Sequence, residues 1–293
     1  MKYKQPSGYA PGIYFGLHED DYHRDKALSH SGITDILVSE MDYWENSPLN
    51  PHKKHKDSPA MAFGKQCHMM LLEEKKFFET YNIAGGRWEK SKAGCTLTSS
   101  EFQLIKESAQ IIKRDPDTAA YFQNGYPEVS IFVTDPATGI RLRIRVDYLR
   151  TFGCVDLKRL RSIQKKKLGY DIISYGYDIQ DYLYRYVVGL AKQQLRAGKI
   201  KAYGDYDPAW LKAFMDDEDT MFVFFVQRSV RPYIYRIWHF DEHIRAEAKI
   251  ITERGIQRYK HAIETYGETG WPDGSAKPGQ FTIDDLPRRS LDD

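Results

Sequence analysis

The chain has 293 residues, of which 41% are hydrophobic and 14% aromatic, including 21 Tyr. This is enough apolar material for a real core, and it excludes a disordered tract. No apolar run approaches the ~20 residues of a membrane span. Met1-Lys2-Tyr3-Lys4-Gln5-Pro6 leads into no signal-peptide core. Cys67, Cys95 and Cys154 are scattered, offering neither a disulfide framework nor paired metal spacing, so a cytoplasmic protein with reduced thiols is expected. Net charge is only +2, yet Arg141 to Lys167 carries ten basic residues against Asp147 and Asp156. That concentration suggests a polyanion-binding face. Its alternative is a solvated Lys/Arg surface.

In chain order, residues 1–24, with Gly8, Pro11 and Gly12, read as a loosely packed N-terminal arm. A helix opens near Ser31, with Ser29 or Ser31 as its cap, and carries Ile33, Ile36, Leu37 and Met41. Asn50 to Pro59 reads as an exposed loop, and Ala60 to Glu74 as a helix. Gly85, Gly86 and Gly94 mark a loop, and Ser99 or Ser100 starts a helix reaching about Arg114. A strand meander follows. Glu128 to Thr134 alternates, Asp135-Pro136-Ala137-Thr138-Gly139 is turn chemistry, and Ile140 to Leu149 alternates again. Ile140, Leu142, Ile144, Val146 and Tyr148 should face one way, and Arg141, Arg143, Arg145 and Asp147 the other. A short loop leads into Cys154-Val155-Asp156-Leu157-Lys158. Beyond a basic linker, Ile179, Leu183, Tyr186 and Leu190 form the stripe of a helix from about Asp178 to Arg196. Met221–Gln227 and Tyr233–Phe240 read as strands, Glu242–Tyr266 as a last helix, and the end as an exposed tail. The pattern predicts an α/β fold, a mixed sheet with flanking helices.

Chemistry concentrates at the second hairpin. With Arg150 to Gly153 as its loop, Leu149 pairs with Cys154, Tyr148 with Val155 and Asp147 with Asp156. Opposed residues have Cβ atoms ~4.5–5.5 Å apart, so two carboxylates there repel. A divalent cation offsets that cost best, and hard oxygen ligands favour Mg²⁺. Lys158 shares a strand face with Asp156, roughly 6.6 Å further along. It could orient a nucleophile or neutralise a phosphoryl transition state. A bare D-x-K is also compatible with a mixed-charge hairpin edge.

Asp147 with Asp156-Leu157-Lys158 resembles the PD-(D/E)xK signature. Gly64, His68, Leu72 and Glu73 resemble the G-x-x-x-H-x-x-x-L-E helix of RecE-type and RecB-type nucleases. Ser29-His30-Ser31 resembles that family's opening segment, and Gln180 and Tyr184 its Q-x-x-x-Y helix. The order and spacing agree from about Tyr22 to Trp271. The resemblance implies a restriction-endonuclease-like core over residues 25–275, with a tail at 276–293. It implies a stand-alone, phage-type RecE-like (exonuclease VIII type) nuclease domain. Its metal, Mg²⁺ with Mn²⁺ as a substitute, would be held by His68, Asp147, Asp156 and the Leu157 backbone carbonyl. Glu128 either touches a second metal or orients the site. Lys158, Asp147, Asp156, Gln180 and Tyr184 would be catalytic, the last two lying beside the scissile phosphate. Double-stranded DNA ends would be degraded 5′ to 3′, leaving a 3′ single strand. The partners implied are a RecT-like single-strand annealing protein and further copies in a ring-shaped homo-oligomer, a tetramer by preference. DNA contacts are expected from Arg145, Arg159, Arg161, Lys165 and Lys166.

Three dispersed cysteines exclude the iron–sulfur branch of such nucleases, and no Walker A sequence indicates a helicase motor. Arg159-Leu160-Arg161-Ser162 stands where the family often has threonines, so arginine–phosphate contacts could replace hydroxyl ones. An endonuclease or repair nuclease with the same metal site is the first alternative. A non-catalytic DNA-end-binding protein is the second.

Overall fold

The computed structural model describes residues 8–53, 58–84 and 95–272. The chain begins with a three-residue strand, β1 (Gly12–Tyr14), and the helices α1 (Glu19–Arg24), α2 (His30–Val38) and α3 (Glu40–Asn46). Ser29 and Ser39 start α2 and α3 by accepting from the N–H groups of Gly32 and Asp42. Ser58 caps α4 (Pro59–Leu72), which has Pro59 in its first turn, and α5 (Glu74–Thr80) follows. A small parallel pair, β2 (Tyr81–Ile83) and β3 (Cys95–Leu97), precedes α6 (Ser99–Arg114) and α7 (Pro116–Ala119). Thr98 and Glu101 close a reciprocal capping box on α6. The meander is β4 (Tyr126–Thr134), β5 (Arg141–Arg150) and β6 (Gly153–Leu160). It is followed by α8 (Lys165–Tyr175), α9 (Tyr177–Arg196), β7 (Lys201–Tyr203) and α10 (Pro208–Asp216). The strands β8 (Met221–Arg228) and β9 (Tyr235–Trp238) and the helix α11 (Glu242–Tyr266) complete the order.

Seven strands form one mixed sheet in the order β7-β1-β4-β5-β6-β8-β9. The β1–β7 and β6–β8 pairs are parallel and the others antiparallel. The first hairpin turns where the Asp135 carboxylate accepts from the N–H groups of Ala137 and Thr138, with Gly139 at φ 76°. At the second, Gly153 has φ 137°, and a Cβ there would lie 2.1 Å from the Met221 carbonyl oxygen. Only glycine lets β6 start so close to β8. The strand β8 is apolar on both faces, which suits a strand covered twice.

One face of the sheet packs on α9, with Leu142, Ile144, Val146, Cys154, Phe222 and Phe224 meeting Leu183, Val187 and Val188. The opposite face is shared. Over β6 and β8, Val155, Leu157, Val223 and Phe225 pack with Cys67, Met70, Leu71, Ile105 and Ile112 of α4 and α6. Over β4, Phe132 packs with Tyr22 and Ala27. Each such buried side chain contributes roughly 1.5–3 kcal/mol.

Two expectations need correction. Residues 8–24 are not a loose arm: β1 sits inside the sheet with Ile13 fully buried, and α1 lies on the sheet through Tyr22. A three-residue strand is too short to show periodicity, and Gly12 with the preceding Pro11 masked it. The basic linker after β6 is the helix α8, which buries Leu168. The loop at 85–94 and the tail at 276–293 lie outside the described residues, as do residues 1–7.

Candidate active site at a forked strand pair

The ladder between β5 and β6 runs Arg150↔Gly153, Leu149↔Cys154, Tyr148↔Val155 and then stops. The predicted register holds for Leu149–Cys154 and Tyr148–Val155, but Asp147 and Asp156 do not pair across it. Instead the Leu157 N–H donates to Asp147 Oδ2 at 2.8 Å. A side chain has taken the place of a ladder carbonyl, and the two strands fork there.

A second irregularity lies on the neighbouring strand. Glu128 stands opposite Asp147, and its φ of 53° is left-handed, a conformation uncommon for a glutamate. The β4–β5 pairing skips this position, running from Pro127↔Tyr148 to Val129↔Val146. Strand alternation changes phase at the same point: Val146 belongs to the α9 core and Tyr148, two residues on, to the α4/α6 core. Local backbone strain of this kind tends to be kept where function needs it.

Three elements converge on the fork. From α4, His68 places Nδ1 3.8 Å from Asp147 Oδ2. Ligand atoms of His68, Glu128 and Asp147 all lie within 4.8 Å of one another. From β6, Asp156 is 2% exposed. Its Oδ1 accepts from Lys158 Nζ at 2.8 Å and from Gln180 Nε2 of α9 at 2.7 Å. Its Oδ2 is buried with no hydrogen-bond partner. A buried carboxylate oxygen without a donor is costly, and a cation relieves that cost.

The electrostatics agree with a site built to receive positive charge. Burial, then the nearby Asp156, pushes the Asp147 carboxyl up to about 7. Burial and Asp147 also raise Glu128, against the pull of Arg145. Burial lowers His68, favouring the neutral imidazole that can ligate a metal. Burial pulls the Lys158 ammonium down, but Asp156 and Asp147 outweigh it and hold its pKa above the ordinary value. Lys158 is therefore charged. The residues present fit a divalent cation: oxygen donors, one neutral imidazole and an unpartnered acceptor. Since N–H and C=O of one strand residue leave by the same edge, the Leu157 carbonyl faces the fork too. Tyr184 donates its hydroxyl to the Arg145 carbonyl at 2.9 Å, so it holds β5 just ahead of Asp147.

The predicted DNA-contacting residues separate into two groups. Arg145 is not free for a phosphate: it donates to Glu128 Oε2 at 2.8 Å, Ser130 Oγ at 2.8 Å and the Leu17 carbonyl at 3.0 Å. Arg143 is buried and donates to the Tyr22 carbonyl, and Arg141 reaches Asp25 and the Tyr9 carbonyl. The strand arginines thus bind residues 9–25 to the sheet, because a guanidinium covered by chain must find acceptors. Arg159 is also turned inward. It donates to Ser108 Oγ and Gln227 Oε1, between the rings of Phe63 and Tyr233. It follows Leu157 onto the α4/α6 side, away from Lys158. By contrast Arg161, Lys165, Lys166 and Lys167 are exposed.

Sequence reasoning passed over two residues. His30, placed only as part of an opening motif, bonds the Gly176 carbonyl through Nε2 at 2.8 Å. It lies close enough to Lys158 and Asp156 to feel both charges. Tyr177 puts its ring 5.2 Å from Lys158 Nζ. Its position three residues before Gln180 was the available signal. A cleft of about 480 Å³ opens from His68 and Glu128 past Leu17, Lys65, Lys76 and Arg145.

A mixed sheet with helices on both faces, and an Asp…Asp-x-Lys set at a strand fork, define the restriction-endonuclease-like, PD-(D/E)xK class. The chain belongs to the PDDEXK-like domain family of unknown function (DUF3799), whose model matches residues 29–202. No curated protein matches it. A crystal structure of a protein from Eubacterium rectale, described as a "Putative exonuclease", shares its fold. That structure aligns with a TM-score of 0.58 at 19% identity, covering 92% of this chain and 98% of that one. Among the described residues, no helix is long and apolar enough to cross a membrane.

Proposed function

We propose that this protein is a divalent-metal-dependent exodeoxyribonuclease that hydrolyses linear double-stranded DNA from its ends. The observation that carries the reading is the fork, where a buried Asp156 oxygen lacks a donor beside a charged Lys158 and the His68–Glu128–Asp147 group. His68, Asp147, Asp156 and the Leu157 carbonyl would hold Mg²⁺, or Mn²⁺ in its place, with Glu128, whose ligand atom lies within 4.8 Å of those of His68 and Asp147, as a further ligand. Such an ion supplies a water of lowered pKa and neutralises phosphate charge. Gln180 and Lys158 fix Asp156 Oδ1 and leave Oδ2 as the free acceptor. The Leu157 N–H fixes Asp147. The Lys158 ammonium is placed to stabilise a phosphoryl group gaining negative charge.

The RecE-type resemblance of the His68 and Gln180–Tyr184 helices supports the finer reading. It comprises 5′ to 3′ polarity, a 3′ single strand as product, a RecT-like annealing partner, a ring-shaped tetramer and a cytoplasmic setting. The Eubacterium rectale protein that shares the fold is described only as a "Putative exonuclease".

The test is digestion of linear duplex carrying a 5′ or a 3′ label, beside covalently closed plasmid, with Mg²⁺ and with EDTA. Early release of the 5′ label, a spared plasmid and no reaction in EDTA are expected. Cutting of the closed plasmid would make the protein an endonuclease. Binding of ends without cleavage in Mg²⁺ or Mn²⁺ would make it a non-catalytic end-binding protein.

A further inference from the structure

The helix α8 starts four residues after the end of β6, and its C-terminal end leads through Gly176 to Tyr177 beside Lys158. Leu168 is buried, and Ile172 packs against the same core. Its exposed side chains are unusual. Tyr170 is 59% exposed, Ile173 74% and Tyr175 57%. Lys165, Lys166 and Lys167 are exposed in the first turn, and Asp171 is the only acidic residue between Lys165 and Tyr175. Lys166, Tyr170 and Ile173 fall at i, i+4 and i+7, one stripe on a helix of 3.6 residues per turn. Single exposed apolar side chains are ordinary. Three large ones on an 11-residue helix, beside three lysines, are not.

The end of α8 adjoins the site from the helix's other side: Tyr175 lies about 180° around the helix from Lys166, on the side of Leu168. The Tyr175 ring lies 5.5 Å from that of Tyr177, tilted by 33°. The Tyr177 ring in turn lies 5.2 Å from Lys158 Nζ. A path of rings therefore runs from the tip of α8 to the Asp156–Lys158 pair.

We infer that the outward face of α8, with Lys166, Tyr170 and Ile173, binds a single-stranded nucleic acid segment beside the fork. Lysines neutralise the phosphates of a passing strand, and rings and aliphatic surface receive its bases. A duplex hides the faces of its bases and presents phosphates and groove edges, so the apolar half of the stripe has work only with unpaired bases. A self-association face would account for the apolar residues but not for the run of lysines among them. The inference deepens the nuclease reading and rests on it for its biological sense: end degradation leaves an unpaired strand beside the site.

The test measures binding of a labelled oligo-dT and of a blunt duplex of equal length by the full chain in Ca²⁺. Tyr170→Ala/Ile173→Ala should weaken oligo-dT binding roughly tenfold and leave the blunt duplex nearly unaffected. Tyr170→Phe should retain binding, since the ring and not the hydroxyl is used. Lys166→Gln/Lys167→Gln should flatten the salt dependence on oligo-dT by roughly 1.4 in log–log slope. Adding a 5′ or a 3′ overhang to the duplex should restore dependence on Tyr170 and Ile173 for at least one of the two. Unchanged oligo-dT affinity in the double alanine variant overturns the inference. So does an equal loss on blunt duplex, or a shift to smaller species in sedimentation that accounts for the loss. Cleavage of linear duplex by the wild type is scored in parallel. Cleavage with unaffected oligo-dT binding removes this surface and keeps the nuclease. The predicted binding pattern without cleavage does the reverse.

Discussion

The basic segment from Arg141 to Lys167 divides into two regions that look alike in sequence and behave oppositely in the fold. Arg141, Arg143, Arg145 and Arg159 point into packed surroundings and end on carbonyls, carboxylates and a Gln–Ser pair. Arg161, Lys165, Lys166 and Lys167 stand in solvent. The division follows residue chemistry only in part, since Arg161 is exposed and Lys158 is held within the site. A guanidinium is weakly hydrated and offers five directed donors, so it can serve as an internal strut, whereas an ammonium is strongly hydrated and favours the surface. A charge cluster therefore names a polyanion-binding face only after its struts are subtracted.

The sharpest way to break this division is to remove a strut. Arg143→Ala and Arg159→Ala should each destabilise the fold by about 3 kcal/mol, because buried acceptors lose a charged donor. Lys165→Gln should stay within about 0.5 kcal/mol. Urea midpoints measure both, and equal values for the two classes would erase the distinction.

A second test concerns Asp147, whose raised carboxyl makes the metal-free fold lose stability as pH rises from about 4 to about 7. The native state holds the proton across that window and the unfolded chain does not. Asp147→Asn should remove this slope, melt no lower than wild type without metal above pH 7, and lose the stabilisation that Mg²⁺ gives wild type. A lower metal-free melting temperature would make Asp147 a structural partner instead of a cation ligand.

The smallest effect is on salt dependence. Arg161→Gln should flatten the log–log slope of duplex binding by roughly 0.9, and adding Arg159→Gln should change it no further. A further drop of equal size would return Arg159 to the DNA path.

Much of this arrangement was legible in the sequence. Alternation and turn residues gave the meander and its register at Tyr148–Val155 and Leu149–Cys154, and a helical stripe gave α9. The pairing of Lys158 with Asp156 followed from strand parity. The fork itself was not legible, nor was the left-handed Glu128 beside it, since no residue type announces that conformation in a glutamate. The fate of the arginines was hidden too, because it depends on β1 and α1 folding onto the sheet across more than a hundred residues. The helix α8 was hidden by its lysines and Gly169, which read as a linker although Leu168 and Ile172 anchor it.

The central claim is that Lys158, held at 2.8 Å from Asp156, acts on the phosphoryl group at the fork. Cleavage of end-labelled linear duplex in Mg²⁺ by Lys158→Ala, with duplex binding measured in Ca²⁺, tests it most directly. The account predicts a rate lower by on the order of 10²–10³ with binding largely retained. A folded variant that cleaves at the wild-type rate would contradict it and make Lys158 no more than the counterion of a buried aspartate.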